Sequence, residues 1–220
     1  MTYKELVEHL FEIRNQKYAD FSKSLSASDY ISIGVKNPVL RQITKEHKND
    51  SELKIDDFEL GKYLEVDFIY FGLALSRFSK IEEQLDFLRK EIRKAKSWAI
   101  TDCVTTFLKK STFEQFEKFY NELHKSKHTF ERRFCYVFGL KHSKNHRILD
   151  IFLKITLHDE YPVMMAEAWL LATIAIDFPD EVFKFLKEIN DIQLRRKTIQ
   201  KMCDSFRISN EQKSRFKALR

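Results

Sequence analysis

Apolar residues recur along most of the chain at spacings of three and four, which place side chains on one face of an α-helix. In STFEQFEKFYNELHKS, Phe113, Phe116 and Phe119 follow at intervals of three, with Glu117 and Lys118 between them. The segments TFERRFCYVFGLKH and HRILDIFLKITLH repeat this pattern. EYPVMMAEAWLLATIAIDF is apolar on nearly all sides and predicts a central helix packed against several neighbours. The pattern predicts about a dozen helices in succession.

Short polar breaks such as SASD, KKST, HSKN and FPDE separate the predicted helices. Ser111 or Thr112 can cap one helix, and Pro179 can open another. No clear β alternation interrupts them, and helix pairs recur at intervals of about 35 to 45 residues, the range of HEAT-like repeats. We therefore predict an all-α fold, an α-solenoid of HEAT-like helix pairs, in a single domain over residues 1–220. A compact globin-like or bundle fold is the alternative.

The amino-acid composition agrees with a helical fold and is compatible with a polyanionic partner. Among 220 residues there are only 4 Gly and 3 Pro, whereas sheets and long loops usually need more turn residues. The 20 Phe residues predict a core filled by aromatic rings. A net charge of +6 fits a polyanionic partner, although many proteins without such a partner are as basic.

Several other classes of function find no support in the sequence. The N-terminal segment MTYKELVEHLFEIRNQKY is charged throughout, unlike a signal peptide, and no apolar run reaches the roughly 20 residues of a membrane span. The three widely spaced cysteines, Cys103, Cys135 and Cys203, predict reduced thiols. No phosphate loop, dinucleotide-binding glycine motif or metal-ligand spacing occurs. We expect a cytoplasmic monomer without metal or cofactor.

The two tryptophans offer the first candidate chemistry. Trp98 and Asp102 are four residues apart in AKSWAITDCVTTFLKK, so a helix places them on one face. A carboxylate beside an indole can cap a neighbouring helix or can be poised for chemistry, and the spacing leaves both readings open. Trp98 and Trp169 can equally be core residues.

Basic residues form clusters near predicted helix ends. In a stack of helix pairs, equivalent ends can align into one basic concave face that follows a phosphate backbone. Interspersed acidic residues leave an ordinary solvated helix surface as the alternative. The candidate DNA-binding residues are Lys36, Arg41, Arg132, Arg133, Lys141, Arg195 and Arg196.

Four segments occur in an order that is similar to a known family. They are GVKNPVLRQITKE at 34–46, KSWAITD at 96–102, ERRF at 131–134 and MAEAWLL at 165–171. With them the chain resembles the HEAT-like-repeat alkylpurine DNA glycosylases, the AlkC/AlkD superfamily of DNA alkylation repair proteins, and is closer to the AlkD branch. The resemblance runs from about Tyr18 to the C-terminal region.

The resemblance implies an all-α solenoid whose basic concave face binds duplex DNA, including alkylated duplex DNA. It assigns Asp102 as the catalytic carboxylate, Trp98 and Trp169 as contacts to the lesion-bearing nucleotide, and Arg133, or else Arg132, as a contact to the DNA backbone. The implied reaction hydrolyses the N-glycosidic bond of a cationic alkylated purine. A fixed carboxylate stabilises the oxocarbenium character that develops on the sugar.

The chain also departs from the pattern of active members. Ser97 and Ala99 stand where these carry Trp and Asp, and Ala172 stands where they often carry Arg. Tyr18 and Tyr30 are present, but the sequence places neither in the N-terminal helix whose Tyr contacts the lesion. Three functions therefore remain open: excision of alkylated bases, nucleic-acid binding without excision, and, less favoured, a helical scaffold for protein partners.

Overall fold

A computed structural model describes residues 1–26, 29–154 and 160–220 of the chain. These residues form 13 α-helices and four short 3-10 helices. Within them no strand forms, and a single pair, Ile31 with Tyr63, makes an isolated parallel bridge. The predicted all-α fold class is confirmed, and the succession of helices is consistent with an α-solenoid of helix pairs.

The chain divides into two compact units, Met1–Ser111 and Thr112–Arg220. The single domain over 1–220 and its basic concave face stay predictions. The first unit contains α1 (Tyr3–Glu12), α2 (Gln16–Ser26), α3 (Asn37–His47), α4 (Leu64–Arg77), α5 (Ile81–Glu91) and α6 (Trp98–Val104), with 3-10 helices at Ile55–Asp57, Ile92–Lys94 and Thr105–Phe107.

The second unit contains seven α-helices and one 3-10 helix. They are α7 (Phe113–Leu123), α8 (Thr129–Gly139), α9 (Ile148–Phe152), α10 (Tyr161–Ile174), α11 (Pro179–Glu188), α12 (Ile192–Asp204) and α13 (Asn210–Lys217), with the 3-10 helix at Leu140–His142. The predicted helix in HRILDIFLKITLH appears as α9, and its Ile155 lies outside the described residues.

Local sequence signals set many of the helix starts. The Thr112 hydroxyl accepts the backbone N–H of Gln115 at 3.3 Å, and the Gln115 side chain accepts the Thr112 N–H at 2.8 Å. This capping box fulfils two of the orphan donors at the start of α7 and confirms one of the two predicted caps. Pro179 is the first residue of α11, as predicted, because its fixed φ suits the first helical position.

The core of the first unit forms around α4. Every residue from Glu65 to Leu75 on this helix is buried, and α3 and α6 both pack against it. The packing of α3 on α4 is tight at Gly72, where an added Cβ would lie 2.9 Å from both Thr44 Cγ2 and Phe107 Cζ. Any larger residue at this position would therefore force the side chain of Thr44 or Phe107 to shift.

The core of the second unit is built from aromatic rings, as the Phe content predicts. Phe116 and Phe119 of α7 meet Phe138 of α8 edge to face, with ring centroids 5.3 Å and 5.8 Å apart. Helix α10 packs against both α8 and α12, and ten of its residues are buried. The prediction of a central helix at this segment is confirmed.

Candidate nucleic-acid interface

Helix α6 carries the candidate carboxylate. The Ser97 hydroxyl accepts the N–H of Ala99 at 3.2 Å and caps the helix, so that Trp98 is its first residue. Trp98 and Asp102 are one helical turn apart and both are partly exposed. The Thr101 hydroxyl lies 3.1 Å from the carbonyl oxygen of Trp98 and 3.4 Å from Asp102 Oδ1. The geometry therefore presents an indole and a carboxylate together on one accessible face.

Tyr18 approaches the same helix from α2. Its N–H donates to Asn15 Oδ1 at 2.9 Å, and its side chain lines a cavity of about 20 Å³ together with Ala99 and Cys103 of α6. Burial raises the pKa of the Cys103 thiol to about 11, so this cysteine stays a neutral thiol near neutral pH. Tyr18 thus lies beside the helix of the candidate carboxylate, a position that could not be predicted from the sequence.

A buried polar network fixes the chain just before α6. The Tyr30 hydroxyl donates to the Asp67 carboxylate and accepts the N–H of Lys96 at 3.3 Å, while the N–H of Gly61 donates to Asp67 Oδ1 at 2.9 Å. Burial raises the pKa of Asp67 to about 6 against the opposing hydrogen bonds from Tyr30 and Gly61 and the charge of Lys96. Sequence reasoning missed this network, and its one signal was an acidic residue inside an apolar helix.

A second buried carboxylate orders the segment before α3. Glu65 is 2% exposed and accepts the backbone N–H groups of Ile33, Gly34 and Val35 at 2.9, 2.8 and 3.3 Å. The Ser32 hydroxyl adds a fourth hydrogen bond at 2.9 Å. Gly34 adopts a φ of +99°, which favours glycine at this turn. The carboxylate therefore holds the start of the GVKNP segment in place.

The predicted DNA-binding residues of the first unit differ in their surroundings. Lys36 is exposed and precedes the first turn of α3. Arg41 Nη1 donates to Thr106 Oγ1 at 2.6 Å, and its guanidinium lies 5.8 Å and 5.6 Å from the ring centroids of Phe68 and Phe107. Arg41 therefore ties α3 to the turn after α6, while its contact with DNA stays a prediction.

In the second unit, Arg132 and Arg133 join α8 to the start of α10. Arg133 is only 4% exposed and donates from Nη1 to the carbonyl oxygen of Pro162 at 2.6 Å. Arg132 Nη2 lies 2.7 Å from Glu160 Oε2. Lys141 follows α8, and partial burial lowers the pKa of its ammonium group. The structure shows a packing role for Arg133, and its predicted contact with DNA is untested.

Helix α12 carries the remaining predicted cations. Arg195 is partly buried, and its Nη1 lies 3.4 Å from the carbonyl oxygen of Leu186 near the end of α11. Arg196 is exposed. A cation near a helix C-terminus interacts favourably with its free carbonyl groups, so Arg195 of α12 stabilises the end of α11.

Trp169 borders a surface cavity of about 260 Å³, which we name the Trp169 cavity. The indole is 36% exposed, and Lys201 Nζ of α12 lies 5.9 Å from its ring centroid. Sequence reasoning did not foresee this contact because it joins α10 to α12. The cavity is lined by Trp169, Ala172, Thr173, Lys201, Asp204, Ser205 and Arg207.

Two negative findings apply to the residues that the structure describes. In residues 1–26, 29–154 and 160–220, no three His, Cys, Asp or Glu side chains gather closely enough to hold a metal ion. Over the same ranges, no helix combines the length and apolarity needed to cross a membrane.

Comparison with known proteins adds one match. Residues 6–205 match the family model described as DNA alkylation repair enzyme, and this range contains all four segments on which the resemblance was based. A search of curated proteins returns no match. Because the family model covers most of the 220 residues, the chain belongs to the DNA alkylation repair enzyme family.

Proposed function

We propose that this protein binds duplex DNA. The observation that carries the proposal is the family match over residues 6–205. Charge adds support, because acidic and basic residues nearly balance in Met1–Ser111, whereas the positive excess lies almost entirely in Thr112–Arg220. When basic side chains neutralise phosphates, counterions are released from DNA. A basic unit therefore gains affinity for DNA of any base sequence.

Solvent exposure distinguishes the cations best suited to contact DNA from those that stabilise the fold. Lys36 and Arg196 are exposed, so a phosphate can approach their side chains from solvent. Arg133 donates to the Pro162 carbonyl and is buried, so moving it to a phosphate would leave that oxygen without this donor. We therefore assign DNA contact first to the exposed cations.

A titration with a labelled duplex oligonucleotide tests the proposal. Fluorescence anisotropy at about 50 mM and about 200 mM salt should show binding that weakens steeply as salt rises. Absence of binding at the lower salt would contradict the proposal and favour a scaffold for protein partners.

A second function, excision of cationic alkylated purines, is favoured by one observation: Trp98 and Asp102 share an accessible face of α6. Alkylation of a ring nitrogen makes the purine cationic, so that the C1′–N bond breaks with its electron pair leaving on the base. Water then bonds to C1′ and loses a proton. The carboxylate of Asp102 would stabilise the positive charge on the sugar and orient that water, and the indole face of Trp98 would add cation–π contact.

Release of methylated purine from alkylated duplex DNA tests this second function. Asp102→Asn should lower the rate of release by about a hundredfold or more while duplex affinity stays similar. Asp150→Asn, at an exposed position on α9, is the matched control. Equal release by the Asp102 variant would exclude the assigned role. Wild-type binding without any release would identify a DNA-binding protein that does not excise.

A further inference from the structure

The face of Trp169 that borders the Trp169 cavity already has a cation beside it. Lys201 Nζ lies 5.9 Å from the indole centroid, within the range of a cation–π contact. A second cation brought to the same place would meet the repulsion of this ammonium group. An anion would instead be attracted to it. The local charge therefore opposes a cationic base in this cavity and favours a phosphate.

The walls of the cavity reinforce this preference. Arg207 contributes a second cation, and Asp204 contributes a carboxylate that opposes it in part. Ala172 extends little into the space, and the hydroxyl of Thr173 is bound to the carbonyl oxygen of Trp169 at 2.9 Å. A volume of about 260 Å³ exceeds that of several water molecules, so a phosphate group fits with part of its hydration.

An exposed aromatic residue, Phe206, lies in the chain between Ser205 and Arg207, two residues that line the cavity. The Ser205 N–H donates to the carbonyl oxygen of Met202 at 3.2 Å, and the Arg207 N–H donates to Ser205 Oγ at 3.2 Å. Between these two hydrogen-bonded residues, Phe206 has a relative exposure of 103%. A Phe that buries nothing within its own chain gains free energy only when a partner covers it. Cations around an exposed ring are complementary to a nucleotide, in which a phosphate adjoins an apolar sugar and base.

We propose that the Trp169 cavity holds a phosphate of the DNA backbone between Lys201 and Arg207, and that Phe206 packs against the adjoining sugar or base. This inference rests on the proposed DNA binding and specifies which group of DNA the cavity recognises. Trp169 then supports Lys201 through its ring and does not receive the alkylated base.

The test uses the full chain and an unmodified, fluorescein-labelled duplex, titrated over a series of salt concentrations. Lys201→Gln and Arg207→Gln should each reduce the slope of log affinity against log salt by about 1, because each removes one phosphate contact. Asp204→Asn should tighten binding, since it removes the opposing charge. Phe206→Ala should weaken binding about fivefold at every salt concentration and leave the slope unchanged, because it removes no charge.

The control is Lys118→Gln, which removes the same charge from an exposed position on α7. Thermal melting of each variant establishes that it is folded. If wild type binds the duplex and the Lys201 and Arg207 variants keep its slope, the inference is wrong while DNA binding stands. If the wild-type protein does not bind the duplex, the proposed DNA binding and the inference about the Trp169 cavity are both wrong. Tighter binding of N7-methylguanine duplex, but not of unmodified duplex, by Lys201→Gln would assign the cavity to a cationic base and overturn the inference.

Discussion

The carboxylate of Glu65 accepts the backbone N–H of Gly34 at 2.8 Å and thereby joins the start of α4 to the turn before α3. The same side chain also accepts the N–H groups of Ile33 and Val35. Satisfying three buried donors with one side chain fixes the backbone from which α3 begins. Because Lys36 directly follows Val35, these hydrogen bonds also fix the backbone position of the exposed Lys36.

Replacing this anchor should lower stability. Glu65→Gln keeps one acceptor oxygen but turns an amide group toward buried N–H donors, so we expect a loss of about 1–3 kcal/mol in the free energy of unfolding. Urea unfolding followed by circular dichroism measures it. Glu59→Gln, at an exposed position, is the control. Equal unfolding midpoints for the two variants would show that the anchor contributes nothing.

The Asp67 network should make stability depend on pH. Burial raises the pKa of Asp67 to about 6 from an ordinary value of 3.8, so the folded state binds the proton more tightly. The protonated Asp67 carboxyl contributes fully to the free energy of unfolding below about pH 4. This contribution, about 3 kcal/mol, is lost as pH rises through 6. Asp67→Asn removes this loss. Relative to wild type, the variant should therefore gain stability as pH rises from 4 to 7.

Urea midpoints at intervals across that range measure the effect. Asp57→Asn, at an exposed position in the same unit, serves as the matched variant. Parallel stability curves for wild type and Asp67→Asn would contradict the raised pKa.

His142 should act in the opposite direction. Its ring stacks on Phe116 with centroids 4.9 Å apart, and burial, aided by the charge of Lys141, lowers its pKa from 6.5 to about 4. As pH falls, His142 is protonated in the unfolded chain at a higher pH than in the folded protein. The contribution of the neutral ring to the free energy of unfolding is therefore present above about pH 6.5 and is lost as pH falls through 4. His142→Phe keeps an aromatic ring and should reduce the acid sensitivity of thermal unfolding in this range. An unchanged sensitivity would refute the assignment.

Arg133 and Arg196 should separate packing from DNA contact. Arg133→Met leaves the Pro162 carbonyl without its donor, so we expect a loss of about 1–3 kcal/mol in stability. Arg196→Gln, at an exposed position, should leave stability unchanged and weaken DNA binding with a lower salt slope. Thermal melting and anisotropy on both variants check this. If Arg133→Met melts at the wild-type temperature but lowers the slope of log affinity against log salt, the main role of Arg133 is the predicted contact with DNA.

Much of the helical architecture could be predicted from local sequence. The repeated spacing of Phe113, Phe116 and Phe119 predicts the buried face of α7, and the pair Ser111 and Thr112 predicts where it starts. The all-round apolarity of the segment around Trp169 predicts that α10 is central. These signals are reliable because the residues that form a helix turn are close together in the chain.

The candidate site could be predicted only in part. The spacing of Trp98 and Asp102 predicts a shared face, because both lie on one short helix. By contrast, charge and position alone gave Arg133 and Arg196 the same predicted role, although one is buried and the other exposed. Burial depends on which helices pack over a side chain, and periodicity within one helix does not specify the neighbours.

The sequence by itself determined the succession of helices, the starts of α7 and α11, the aromatic core and the order of motifs that places the chain in its family. Only the tertiary structure decided that Asp67 is shared by Tyr30 and Gly61, and that Lys201 lies over Trp169. The physical reason is distance along the chain. Helix formation depends on neighbours three or four residues apart, whereas these contacts join residues brought together only when the hydrophobic core forms.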